Sequence, residues 1–301
     1  MNLNNLKLNL DTDIVYNVGY PMGATNAPQC YNKLFEVLGM NKIMLPVEIL
    51  KGQLHEFLTA CRLLNIRYLC PTMPHKADFI PLLDDVDDVD EVSKLFRSVN
   101  AVRIDPDGTS HGTGMDGKGA TRAMENCGVK FNGINALMYG AGGISGVIGY
   151  ELSKRGVKKL TIANLYKDEA DLIAGILRDN TPMEIEVIPT DPEPLDKAAE
   201  DAELFMNVTP LGSKGFPYTH PYLGFIDRLP KTASVFDSII NPPKTETILA
   251  AEKNGLNTVP GMQMLVSQMD LIFKFLFDVD LQPEHKQACI AHMCEYLGVS
   301  L

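Results

Sequence analysis

Residues Ile134–Gly146, INALMYGAGGISG, decide how this chain is to be read. An apolar run, Ala136, Leu137, Met138 and Tyr139, ends in glycines, and a helix-like segment from Val147 to Lys154 follows. The order is strand, glycine turn, helix. Gly140 permits a tight turn that a side chain would obstruct, and Gly142 lets the backbone approach a pyrophosphate closely. Ser145 is small and stands where the third glycine of a G-x-G-x-x-G fingerprint lets helix and strand pack. Backbone N–H groups at the helix start then face the phosphates, and the helix dipole adds to the attraction. A glycine string alone also describes a plain structural turn. Its setting between strand and helix points to a dinucleotide site.

The chain has 301 residues, room for about two domains with ample core. Its 45% hydrophobic and 22% charged content is that of an ordinary globular protein. A net charge of −11 argues against a polyanion-binding surface, so no nucleic-acid partner is expected. Six cysteines are scattered without CxxC spacing and read as reduced intracellular thiols. The first residues, MNLNNLKLNLDTD, contain no apolar h-region and no small-residue cleavage site. No run of about 18 apolar residues occurs, so no membrane span is expected, and the expected setting is cytoplasmic.

Outward from the glycine turn, strands and helices alternate. Before it, the pattern predicts strands at 13–19, 43–47, 66–69 and 101–104, and helices at 29–39, 51–65 and 83–96. In the 51–65 helix, Leu54, Phe57, Leu58, Cys61 and Leu64 recur at helical spacing. After Asp116 the alternation is cleaner: a helix to about Cys127, strands at 159–164, 185–188, 204–208 and 235–239, and helices at 168–179, 262–277 and 283–297. Such alternation implies a parallel sheet. The acidic run Asp84–Glu91, DDVDDVDE, lacks the central glycine and spaced ligands of a calcium loop and reads as a solvated helix start. His285, Cys289 and His292 share one helical face, but with no fourth ligand a plain C-terminal helix is the expectation and no metal is assigned.

Oxidising an alcohol by hydride transfer requires a proton acceptor at the hydroxyl and groups that hold the substrate. Lys76, in Pro71-Thr72-Met73-Pro74-His75-Lys76, is placed just past a strand by two prolines; a surface lysine on a loop is the alternative. Asp116 lies between Gly114 and Gly117, a rigidly turned position that is also suited to a helix N-cap.

In order and spacing these motifs resemble the shikimate/quinate dehydrogenase family over nearly the whole chain. Gly19-Tyr-Pro21, Pro28 and Asn32 resemble its first substrate loop, and Thr72-x-Pro74-His75-Lys76 its catalytic-lysine motif. Val99-Asn100 resembles the end of its Gly-Ala-Val-Asn motif, Asp116-Gly117-x-Gly119 its catalytic-aspartate motif, and Gly140-Ala141-Gly142-Gly143 its cofactor loop. Asn207-Val-Thr209-Pro-Leu-Gly212, then Asp237, Pro242 and Thr245, then Gly261-Met-Gln-Met-Leu-Val-Ser-Gln268 complete the series. The resemblance implies an α/β fold of two domains with a cleft between them. A substrate domain would comprise 1–116 with 261–301, and a Rossmann-type NAD(P)-binding domain 117–260. It also implies that Lys76 and Asp116 are catalytic, relaying the proton. Thr25, Thr72, Asn100 and Gln268 would bind substrate. Gly140, Ala141, Gly142, Gly143, Asn164, Asn207, Thr209 and Gly261 would contact the cofactor.

The chain also departs from that family. Where the family offers two serines to a substrate carboxylate, Thr25 and Ala27 stand, and alanine donates no hydrogen bond. Cys70 replaces the asparagine of the lysine motif, Ile240 replaces a tyrosine after Asp237, and Gly114-Met115 replace Asn-Thr before Asp116. Sites short of hydrogen-bond donors lose selectivity for polar substrates. The expected substrate is thus a small polyol acid or a ring alcohol whose distal end is less polar. At the end of the second Rossmann strand the string is Ala163-Asn164-Leu165-Tyr166-Lys167, where NADP-using members carry Asn-Arg-Thr. Without the arginine fork for a 2′-phosphate, NAD is favoured over NADP, with Lys167 a weak substitute. A non-catalytic ligand sensor on the same fold is the alternative, and it has no need of Lys76 and Asp116 together. Monomer and homodimer are both compatible with the sequence.

Overall fold

Strand β1 (Asp13–Gly19) carries buried side chains on both faces, as a strand flanked by neighbours must. In the computed structural model, which describes residues 8–23, 25–84 and 91–299, it lies between β2 (Lys42–Glu48) and β3 (Tyr68–Pro71), parallel to both. A hairpin of β4 (Ala101–Ile104) and β5 (Ser110–Thr113) joins antiparallel, completing a five-stranded sheet of order β2-β1-β3-β4-β5. Helix α1 (Ala27–Val37) begins with Pro28 in its first turn, where no intrahelical N–H is required. Helix α2 (Leu54–Leu63) buries Leu54, Leu58 and Cys61 against Val18, Leu69, Phe79, Val99 and Val102. Helix α3 (Glu91–Leu95) is short.

A second unit begins with α4 (Asp116–Asn126) and β6 (Asn135–Tyr139), followed by α5 (Ser145–Lys154), β7 (Lys159–Ala163), α6 (Lys167–Asn180) and β8 (Glu184–Ile188). Then come α7 (Pro192–Ala199), β9 (Leu204–Asn207), β10 (Ser234–Asp237), α8 (Glu246–Lys253) and β11 (Asn257–Pro260). All six strands are parallel, in the order β11-β10-β9-β6-β7-β8. That is the doubly wound Rossmann order, with its switch point between β6 and β9. β9 and β10 are buried at every residue, and Phe205, Phe225, Leu137, Val235 and Leu195 fill the core beside them.

The chain divides into Met1–Met115 with Met269–Leu301, and Asp116–Gln268, a division that falls inside helix α9 (Gly261–Phe277). The later residues of α9 pack in the first unit: Phe273 and Phe277 stack with Tyr31, Phe35 and Tyr68 at centroid distances of 4.9–5.6 Å. Helix α10 (Pro283–Leu297) lies on α1, where the Cys30 and Cys289 sulfurs approach to 2.8 Å. Among the described residues no helix is long and apolar enough to cross a membrane.

Several elements differ from the sequence expectation. Of the helix expected over 83–96, Leu83 is instead extended, after a one-turn 3-10 helix at Ile80–Leu82, and Glu91–Leu95 is helical; Asp85–Asp90, most of the acidic run, lie outside the described residues. Leu83 instead packs into the first unit's core. Leu64, placed on the buried face of the 51–65 helix, is exposed, because the helix ends at Leu63 and Asn65 turns left-handed. β5, α7, α8 and β11 were not foreseen. In α7, Pro192 and Pro194 resemble loop punctuation yet occupy the first turn, where their missing N–H groups cost nothing.

The loop after β9 contains His220, buried and edge-on to Tyr139 with ring centroids 4.8 Å apart. Neither ring nitrogen has a protein hydrogen-bond partner, and burial pushes the imidazole pKa down to about 4. A folded pKa below the unfolded value means the unfolded chain takes up the proton first. The stability associated with neutral His220 is therefore present above about pH 6.5 and is lost as pH falls toward 4. The loss approaches about 3 kcal/mol at most, at roughly 1.4 kcal/mol per pH unit separating the two values. Denaturant unfolding of the wild type and His220→Phe should give similar or higher stability for the variant at pH 7.5. By pH 5 the wild type should have lost stability that the variant keeps; parallel pH profiles would contradict this origin.

Candidate active site

At the switch point of the six-stranded sheet the chain leaves β6 through Gly140, whose φ of +115° suits glycine alone. Its N–H donates to Ala163 O at 2.8 Å, and the Ser145 hydroxyl donates to its carbonyl at 3.1 Å. Ser145 thus does more than pack: it ties the first turn of α5 to the glycine bend. A Cβ at Gly140 would meet Thr209 Cγ2 at 2.6 Å, whereas Cβ atoms at Gly142 and Gly143 would meet nothing within 4 Å. The loop is therefore clamped at its root and open at its tip. Gly142 and Gly143 leave room beside backbone N–H groups at the start of α5, which fits a pyrophosphate. Ala141 is buried between them and the root.

Thr209 is fixed in turn. Its N–H and hydroxyl donate to Asn207 Oδ1 at 3.1 and 2.7 Å. Asn207 Nδ2 donates to Asp237 Oδ1 at 3.1 Å, across the ends of β9 and β10. Asp237 also accepts from Ile239 N at 3.0 Å and from the Thr245 hydroxyl at 2.7 Å, while Thr245 caps α8 by accepting from Ile248 N. Burial pushes the Asp237 carboxyl above its usual range, and these donors pull it back. Gly261 opens α9 with the Ser238 and Ile239 backbone against it.

At the end of β7, Asn164 Nδ2 donates to Tyr166 O at 2.8 Å and to Glu169 Oε2 at 3.2 Å. Leu165 is 71% exposed beside it, and Lys167 pairs with Asp171 one turn along α6.

In the first unit the loop ends of the parallel strands are knitted together. Thr72 N donates to Val18 O at 2.8 Å, His75 N to Thr72 O at 2.8 Å, and Tyr20 N to Met73 O at 3.2 Å. Buried His75 places Nε2 2.6 Å from Ile49 O, past the end of β2. The carbonyl of Lys76 accepts from Val99 N at 3.1 Å, which ties the Lys76 backbone to the residue before Asn100. Asn100 Oδ1 accepts from Met115 N at 2.9 Å, fixing the residue that precedes Asp116. Gly114 has a physical reason for its departure from the family pattern: a Cβ there would lie 2.1 Å from Ser98 O. Thr25 lies just before α1, and its hydroxyl is 2.7 Å from Oδ1 of Asn17. Ala27 is the first residue of α1, where a methyl group replaces a donor.

In the second unit Asp116 is the first residue of α4 and is buried. The glycines after it permit two close contacts. A Cβ at Gly117 would lie 2.4 Å from Val147 O of α5, and one at Gly119 would lie 2.6 Å from Gln268 Cβ of α9. The Asp-Gly-x-Gly motif thus seats α4 against both helices, placing Gln268 beside it.

Sequence reasoning missed Asn17, Glu169 and His220. Asn17 carried a signal: one amide in the middle of IVYNVG, a stretch of otherwise apolar and aromatic residues and glycine. On α10, His285 Nδ1 accepts from Gln282 N at 3.1 Å in a capping box, and Cys289 faces Cys30. Among the described residues no group of three or more His, Cys, Asp or Glu is placed to hold a metal ion.

A profile for the shikimate dehydrogenase substrate binding domain matches residues 18–102. The shikimate dehydrogenase (NADP(+)) of Alkaliphilus oremlandii is 30% identical over 270 residues, covering 89% of this chain and 93% of that one. The chain belongs to the shikimate dehydrogenase family. Shikimate 5-dehydrogenase from Listeria monocytogenes, solved with shikimate and NAD, superposes with a TM-score of 0.83 at 25% identity, covering 94% of this chain and 98% of that one. A shikimate dehydrogenase solved with NADP+ gives 0.82 at 25% identity, covering 95% and 97%. Like other members of the shikimate dehydrogenase family, the chain is an NAD(P)-dependent oxidoreductase acting on a CH–OH group.

Replacing Asp237 by Asn puts an NH2 group where the carboxylate accepts from Asn207, Ile239 N and Thr245. Asp237→Asn should lower unfolding stability by about 2–3 kcal/mol. It should also weaken dinucleotide binding measured by calorimetry, because Thr209 and the Gly140 bend rest on the same network. Unchanged affinity would separate that network from the cofactor loop.

Proposed function

We propose that the protein catalyses reversible oxidation of a ring secondary alcohol of the shikimate or quinate type. The observation that supports it most is the glycine loop at the β6/β9 switch point, clamped at Gly140 and open at Gly142 and Gly143. Backbone N–H groups beyond the Gly140 root, at 141–143 and in the first turn of α5, would hold the pyrophosphate, and Asn207, Thr209 and Gly261 would line the remainder of the dinucleotide site. The bound nicotinamide supplies the hydride acceptor for the carbinol carbon. Lys76 takes the hydroxyl proton as that carbon becomes a carbonyl, with Asp116 as its partner in the relay. Thr25, Thr72, Asn100 and Gln268 hold the ring. Lys76→Met should lower kcat by roughly 10²–10⁴-fold with dinucleotide affinity essentially unchanged. Unaltered turnover in Lys76→Met would remove lysine from the reaction.

NAD is the preferred cofactor in this reading. Both N–H groups of Asn164 are committed, to Tyr166 O and Glu169 Oε2, so its free valence is the carbonyl oxygen. A ribose 2′-hydroxyl donates to such an oxygen, whereas a 2′-phosphate would meet an acceptor with the Glu169 carboxylate behind it. Lys167, the one basic side chain in that string, is paired with Asp171. Steady-state kinetics should give a higher kcat/KM with NAD than with NADP. Leu165→Arg should shift that ratio toward NADP by about tenfold or more, since it restores a phosphate fork. A wild-type preference for NADP would overturn the assignment.

A further inference from the structure

Thr25 and Asn17 lie in one hydrogen-bonded chain whose polarity is fixed. Asn17 is 3% exposed on β1, opposite Cys70 of β3 in register. Its Nδ2 lies 2.9 Å from the carbonyl oxygen of Cys70. A carbonyl only accepts, so the amide nitrogen must face it; the flipped amide would set two acceptor oxygens against each other. Asn17 Oδ1 therefore faces Thr25, 2.7 Å from its hydroxyl oxygen, and it too only accepts. The single proton of Thr25 is committed to Asn17. What Thr25 has left to offer is lone pairs.

The consequence concerns the substrate. A carboxylate is also acceptor-only and finds no proton at Thr25 or at the methyl group of Ala27. Were Thr25 to swing its proton to a carboxylate, the buried oxygen of Asn17 would lose its donor, a loss of roughly tenfold or more in binding. A carboxylate from the end of β2 is bonded to the same loop: Glu48 accepts from Met22 N at 2.8 Å, and Met22 O accepts from Thr25 N at 3.1 Å. We propose that the subsite at Thr25 accepts a hydrogen bond from a neutral hydroxyl of the substrate, so that the enzyme selects an uncharged ring polyol over the corresponding ring acid. This rests on the reading of Thr25 as a substrate-binding residue of the dehydrogenase.

The test uses shikimate and its neutral counterpart, in which the carboxylate is reduced to a hydroxymethyl group. kcat/KM for the two compounds is measured with NAD and with NADP for wild type, Thr25→Val, Thr25→Ser and Ala27→Ser. The wild type should favour the neutral compound by about tenfold or more. Thr25→Ser, which keeps the lone pairs, should keep that preference; Thr25→Val should abolish it. Ala27→Ser, which adds a donor, should raise turnover of shikimate relative to the neutral compound. A wild-type ratio at or below one, with Thr25→Val harming shikimate more, overturns the inference and leaves the dehydrogenase reading standing. No turnover of either compound by the wild type overturns that reading, and the inference falls with it.

Discussion

The buried carboxylate of Asp237 holds the cofactor end of this protein together. It receives Asn207 from the neighbouring strand, Ile239 N from its own continuation, and Thr245 from the cap of α8. From Asn207 the order passes to Thr209, and from Thr209 by van der Waals contact to Gly140. One side chain thus fixes the carboxyl ends of three strands and the bend on which a pyrophosphate would rest. Its desolvation is unfavourable and its three donors offset it, which is how a buried carboxylate is retained without a cationic partner among the donors that hold it. Where the loop must be rigid it is bonded, and where it must admit a ligand it is empty.

Much of this order was legible in the sequence. The strand–glycine–helix string around Gly140 pointed to a dinucleotide site, the alternation of strands and helices to a parallel sheet, and the order of motifs from Gly19 to Gln268 carried the family. What remained illegible has physical causes. α7 was concealed because prolines in its first turn look like loop residues. The start of the 83–96 helix was misplaced because Leu83 joins the core as extended chain, an outcome that helical periodicity does not register. Ser145 was expected only to be small, yet its hydroxyl closes the Gly140 bend. Nothing in the spacing reported the direction of a hydrogen bond, and the roles of Asn17 and of the Asn164 amide depend on direction alone.

Both specificity assignments follow from counting protons. At Asn164 two N–H groups are spent on Tyr166 and Glu169, leaving an acceptor; at Thr25 one proton is spent on Asn17, leaving lone pairs. On the proposed roles, each site would prefer a ligand that brings a hydroxyl over one that brings an anion. The departures at Ala27 and Leu165 act in the same sense, removing a hydroxyl donor at one end and a guanidinium at the other. The family's hydride chemistry would then be kept while tolerance for negative charge at Thr25 and at Asn164 would be reduced.

The most direct test of the chemistry is label transfer. The enzyme is supplied with reduced nicotinamide cofactor deuterated at C4 and a ring ketone of the shikimate or quinate series, and the product is read by mass spectrometry and NMR. Hydride transfer at this site places one deuterium on the new carbinol carbon for each cofactor molecule oxidised, when the transferred face carries the label. Product without deuterium from either face of the cofactor, or no oxidation of the cofactor at all, would contradict it.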